Sequence, residues 1–204
     1  MIDQTVYTKN YAPPPLDLSE IRRYAGMREK TPETEAMLQS CLREVENALT
    51  YRVCYCEFPL SFEKNTIDLG FAKVTSSDLN KNLDGCHSIL LFAATVGLAL
   101  DRLINRYATV SPTRSLFFQA IGAERIEGLC NTFVSEVSKQ KSKEGTVLRP
   151  RFSPGYGDLP LQLQTNIFEV LDCPRKIGLS LNQSLIMSPT KSVTALIGLT
   201  NEAN

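Results

Sequence analysis

The run Cys86-His87-Ser88-Ile89-Leu90-Leu91-Phe92-Ala93-Ala94-Thr95 constrains the fold more than any other part of the chain. It is apolar at consecutive rather than alternating positions, so a strand built from it has both faces covered and lies inside a sheet. It passes directly into Val96-Gly97-Leu98-Ala99-Leu100-Asp101-Arg102-Leu103-Ile104, which reads as a helix. A helix start at the end of a central strand presents unpaired amides, so Thr95 and Gly97 line one candidate ligand site. The alternative is a packing turn in which Gly97 only permits close contact.

The segments around this strand do not alternate strictly between strand and helix. Residues 1–15 are polar and proline-rich and read as an extended arm; residues 16–204 read as one domain. Ser19 is the expected cap and Gly26 the expected stop of a short helix. Thr31 and Pro32 open a second helix, with Met37, Leu38, Cys41, Leu42, Val45 and Leu49 on one face. Tyr51–Phe58 reads as a strand, and Thr66–Val74 as a second strand region with a bulge at Gly70. Ser76-Ser77-Asp78-Leu79 signals a helix start, and the longest helix spans about Pro112 to Gln140. Gln162–Leu171 reads as a short helix, and 182–199 as a hairpin turning at Pro189. This order predicts an α+β domain with a twisted, mainly antiparallel sheet and flanking helices.

Charge and cysteine content narrow the function. Twenty-two Lys and Arg balance 22 Asp and Glu, which argues against a general nucleic-acid binder. No apolar run reaches the length of a membrane span, and the start Met1-Ile2-Asp3-Gln4 is unlike a signal peptide. The six cysteines show no Cys-x-x-Cys pair and mostly sit in apolar runs, as expected of reduced, buried thiols in a cytoplasmic protein. No metal site is expected. His87, the sole histidine, has no visible nucleophile or carboxylate partner, and no catalytic residue is assigned.

The second candidate site is Arg149-Pro150-Arg151-Phe152-Ser153-Pro154-Gly155-Tyr156-Gly157-Asp158-Leu159-Pro160. Its prolines restrict the backbone, its glycines permit positive φ and close approach, and Arg151 offers a planar fork of donors suited to a carboxylate or phosphate. Such a cluster serves either as a surface turn or as a rigid binding loop. Glu124 and Glu127, three residues apart on the long helix, are either solvated charges or a carboxylate pair.

Arg151-x-Ser153-Pro154-Gly155-Tyr156 followed by Pro160, and then Leu181-Asn182-Gln183-Ser184-Leu185-Ile186-Met187-Ser188-Pro189, resembles the activation domain of cobalamin-dependent methionine synthase. The Phe92-Ala93-Ala94-Thr95-Val96-Gly97 junction is similar to that of short, free-standing relatives of the domain. The resemblance implies binding of S-adenosylmethionine and support for reductive remethylation of cobalamin. The corrinoid would be held by a separate methionine synthase or other corrinoid protein, with a flavodoxin-like reductase as a further partner. It implies that Arg151 holds the methionine carboxylate and that Ser153, Gly155 and Tyr156 line the ligand. Leu196 and Ile197 would then lie toward the adenine. Where the family carries an aspartate after its N-terminal helix, this chain has Tyr24-Ala25-Gly26-Met27. Either Asp101, Glu124 or Asp158 takes that role, or the chain is a non-catalytic binding or assembly protein that kept the fold and lost S-adenosylmethionine binding. The cobalamin-binding Asp-x-His-x-x-Gly signature is absent, since Gly85 and Cys86 precede His87.

Overall fold

The computed structural model of the chain describes residues 4–64 and 66–201. The first half runs β1 (Tyr7–Tyr11), α1 (Leu18–Tyr24), α2 (Pro32–Val45), β2 (Tyr51–Pro59), β3 (Ser61–Glu63), β4 (Thr66–Asp68), β5 (Lys73–Val74), α3 (Ser77–Asn82) and β6 (Ser88–Thr95). The second runs α4 (Ala99–Tyr107), α5 (Pro112–Ser142), β7 (Thr146–Leu148), α6 (Leu163–Leu171), α7 (Cys173–Ile177), β8 (Ser180–Leu181), β9 (Met187–Ser188) and β10 (Ser192–Asn201). The main sheet has the order β1-β2-β6-β10-β7, with every neighbour antiparallel. The fold is α+β, as expected.

β6 holds the centre. Its register runs from Arg52↔Thr95 to Pro59↔Ser88 against β2, and from Ser192↔Thr95 to Leu199↔Ser88 against β10. All of its residues are buried, because helices cover both faces of this antiparallel sheet. Leu90, Phe92 and Ala94 point into one core with Val53, Ile197 and the α5 residues Ile121, Leu129 and Phe133. Ile89, Leu91 and Ala93 point into the other with Phe58, Leu79, Ile167 and Leu196. Side chains alternate across a strand, so a strand covered on both faces loses its alternating pattern.

Local chemistry accounts for the helix ends. Thr31 and Thr34 form a reciprocal capping box with Pro32 at the first helical position, and Ser76 accepts the Leu79 amide at 3.0 Å. Asp17, not Ser19, caps α1: its Oδ1 accepts the Ser19 amide at 2.9 Å and the Glu20 amide at 3.2 Å. The helix after β6 starts at Ala99 rather than Val96, because Gly97 takes φ +84° and turns the chain first. Nor do residues 182–199 form the expected hairpin. β8 and β9 pair around 182–186, and β10 pairs instead with β6 and β7. Gly70, at φ +79°, makes the turn between β4 and β5 rather than a bulge. Part of the expected arm, Tyr7–Tyr11, is the edge strand paired to β2.

All six cysteines are buried thiols. Burial raises the pKa of the Cys41 and Cys86 thiols and pushes Cys130 up to about 12; at Cys173 the neighbouring Cys54 thiol and burial act in the same direction. No helix among the described residues is long and apolar enough to cross a membrane. A thiol reagent at neutral pH should therefore leave the native protein largely unlabelled and modify all six cysteines once it is unfolded. Fast labelling of several sites without unfolding would contradict this packing.

Candidate functional site

The Arg149–Pro160 loop leaves β7 and follows the free side of β10. The Arg149 amide donates to the Gly198 carbonyl at 2.8 Å, and Phe152 and Leu196 exchange two backbone hydrogen bonds at 2.9 and 2.8 Å. The segment is strand-like at this point, so neighbouring side chains go to opposite faces. Phe152 enters the core between the sheet and α6. Arg151 turns to α5, where its Nη2 donates to Glu127 Oε2 at 3.0 Å and to Asn131 Oδ1 at 3.2 Å. Beyond Phe152 the chain makes a tight loop. The Tyr156 amide donates to Ser153 O at 3.1 Å, Leu159 to Tyr156 O at 3.1 Å, and Gly155 to Leu159 O at 2.9 Å. Tyr156 is 69% exposed and meets the edge of the Phe152 ring at 5.3 Å between centroids.

Next to Glu127 lies an open cleft of about 640 Å³ between the proline segment with α1 and the middle of α5. Pro14, Pro15, Asp17, Glu20 and Tyr24 form one wall; Glu127, Gly128, Asn131 and Thr132 form the other. A buried ion pair holds the walls together. Glu124 and Arg125, 4% and 5% exposed, make a two-pronged contact. Arg125 also donates to the carbonyls of Pro14 at 2.8 Å and Pro15 at 2.9 Å, and Glu124 accepts the Asp17 amide at 3.0 Å. A guanidinium has no acceptor and five donors, so it satisfies a carboxylate and two carbonyls at once.

A model of the family described as vitamin B12 dependent methionine synthase, activation domain, matches residues 77–204. The chain belongs to this family. The match begins at α3 and takes in the central strand, the arginine loop and β10. The crystal structure of the MetH reactivation domain bound to AdoHcy is similar over 98% of this chain and 80% of that one, with a TM-score of 0.67 and 16% identity. At that identity the likeness concerns the fold, and it extends to the N-terminal elements outside the family match. No curated protein matches the sequence.

Within this activation domain the candidate residues fall into separate places. Arg151, Ser153, Gly155 and Tyr156 share one loop, and of these Arg151 reaches Glu127 and Asn131, which line the cleft. Glu124 lines the same cleft, but its oxygens are occupied by Arg125 and the Asp17 amide. Leu196 and Ile197 are fully buried, on opposite faces of β10. Asp158 sits at the N-terminus of α3, where it accepts the Ser77 amide at 2.7 Å; the Ser76 hydroxyl and that amide hold its pKa below the usual aspartate value. Thr95, Gly97 and Asp101 gather at the other end of β6. Thr95 is buried and accepts from Ser192 Oγ at 2.8 Å, its Oγ1 takes the Gly97 amide at 3.2 Å, and Asp101 accepts the Thr190 amide. The junction amides and the arginine loop are thus two places, not one.

In the sequence Glu127 reads, with Glu124, as either a solvated charge or half of a carboxylate pair. Nothing there signals that Glu127 would instead meet Arg151, because the contact joins a helix to a loop 24 residues later. Breaking one side of a buried pair leaves an uncompensated charge, at a cost of about 3–5 kcal/mol. Glu124→Ala should therefore destabilise the domain by about that amount in denaturant unfolding and free the proline segment. A change under about 0.5 kcal/mol, typical of surface positions, would contradict this assignment.

Proposed function

We propose that this activation domain binds S-adenosylmethionine at the Arg151–Tyr156 loop and supports reductive remethylation of cobalamin carried by a corrinoid protein. The observation that carries the reading is the Arg151–Glu127 pair at the rim of the cleft. A free amino-acid tail bears a carboxylate and an ammonium group. A guanidinium beside a carboxylate offers a counter-charge to each, and Asn131 adds a neutral hydrogen-bonding group. Both charges are partly exposed, Arg151 at 26% and Glu127 at 43%, so a ligand can reach them. Tyr156 supplies an exposed ring for an apolar or heteroaromatic moiety. Glu127 then fills the place of the acid missing after α1, a role that Asp158 and Glu124 do not take because their oxygens are already engaged.

S-adenosylmethionine would supply a methyl group on a positively charged sulfur. The chain's own residues orient that group and leave the acceptor to the partner. His87 is exposed at the start of β6 and lacks the sequence context of a cobalamin ligand, which supports placing the corrinoid on a cobalamin-dependent methionine synthase or similar protein outside these residues. A flavodoxin-like reductase as electron source completes the reading, with the family membership as its support.

Calorimetric titration of S-adenosylmethionine tests the proposal. No heat at millimolar ligand, with or without a corrinoid partner, would reject it and favour a binding or assembly role on the same fold. Arg151→Ala should weaken binding by about 1.5–3 kcal/mol, the range for a hydrogen bond to a charged group. An unchanged dissociation constant would remove Arg151 from the site.

A further inference from the structure

We propose that α3 is a clamp on the ligand loop and that Asp158 is a positioning residue, fixing Ser153–Tyr156 from outside the site. The positioning role rests on the S-adenosylmethionine reading; the clamp itself does not. Both ends of segment 149–158 are fastened to α3 and the turn after it. At the near end, Asn82 Nδ2 donates to the Pro150 carbonyl at 3.2 Å and Arg149 Nη2 to the Asp84 carbonyl at 2.8 Å. At the far end, the Asp158 carboxylate accepts the Ser77 amide at 2.7 Å, the Asp78 amide at 3.2 Å and the Ser76 hydroxyl. Arg151, Ser153, Gly155 and Tyr156 all lie between these fastenings.

Helix capping alone does not require this arrangement. Ser76 already caps α3 through the Leu79 amide, and Asp158 reaches the two preceding amides from 80 or more residues away in the chain. The approach is tight. Gly157 has φ +55°, which favours glycine, and a Cβ there would come within 2.6 Å of Asp78 Oδ2, so a side chain at this position would have to displace Asp78. Tyr156 needs such support because it is largely exposed, with the buried Phe152 ring beside it. Its position follows from the backbone between Phe152 and Leu159, both of which are buried. A loop held at both ends loses less entropy when a ligand orders it, so releasing one end weakens binding without removing any ligand contact.

Asp158→Asn is the first test, read by hydrogen exchange and by calorimetry together. The Gly155 and Tyr156 amides are bonded within the loop, so their exchange reports its opening. The variant should exchange these two amides about tenfold faster, with β10 amides and the thermal midpoint close to wild type. Its affinity for S-adenosylmethionine should fall about tenfold. Ser77→Pro, which removes the amide that donates to Asp158 at 2.7 Å and keeps the Ser76 cap because proline suits the first helical position, should give the same pattern and covers the case in which Asp158→Asn fails to fold. Unchanged exchange in both variants would overturn the clamp. Faster exchange with unchanged affinity would overturn the positioning role. A wild-type protein that takes up no S-adenosylmethionine would defeat the ligand reading, and the exchange result would then decide the clamp by itself.

Discussion

Burial of β6 on both faces is the constraint from which the remaining arrangement follows. An antiparallel strand usually shows one face to water. Here β2 and β10 take both edges, α5 with its neighbours covers one face, and α3, α6 and α7 cover the other. β10 is therefore buried through its middle, and Leu196 and Ile197 divide between the two cores. The outer side of β10 is then the place where another segment can dock. Arg149–Phe152 takes that edge and inherits strand alternation from it. The direction in which Arg151 points is thus a consequence of how Phe152 is buried.

The cleft depends on a second constraint, the Glu124–Arg125 pair. Two adjacent charges on a helix are removed from water, and the desolvation is offset only because every close acceptor and donor is matched. The proline segment supplies two carbonyls and an amide without rearranging, since proline fixes much of its backbone. This separates two glutamates three residues apart: Glu124 is consumed in holding the wall, while Glu127 remains partly exposed and faces Arg151. Neighbours on one helix face differ in role because of what packs against each.

Much of the fold was legible residue by residue. Thr31 with Pro32 and Ser76 with Leu79 carry their own capping chemistry, and the structure places helices there. Elsewhere packing overruled the local signal. Ser19 reads as the cap of α1, but Asp17 serves, its amide bonded to Glu124 and its side chain over the helix start. Pro189 looked like a hairpin turn, yet β10 found stronger pairing with the buried β6 than with the short β9.

For the site, the sequence by itself determined the chemistry of the loop: an arginine, restricted backbone on either side, and a tyrosine at fixed spacing from it. These are properties of consecutive residues, so no fold is needed to read them. Only the tertiary structure decided which acid stands beside Arg151, which acids are already engaged, and what fastens the loop. Each of those contacts joins segments between 24 and more than 100 residues apart, Arg151 to Glu127, Asp17 to Glu124 and Asp158 to Ser77. Their geometry comes from packing around β6, and packing leaves no local trace in the order of the residues.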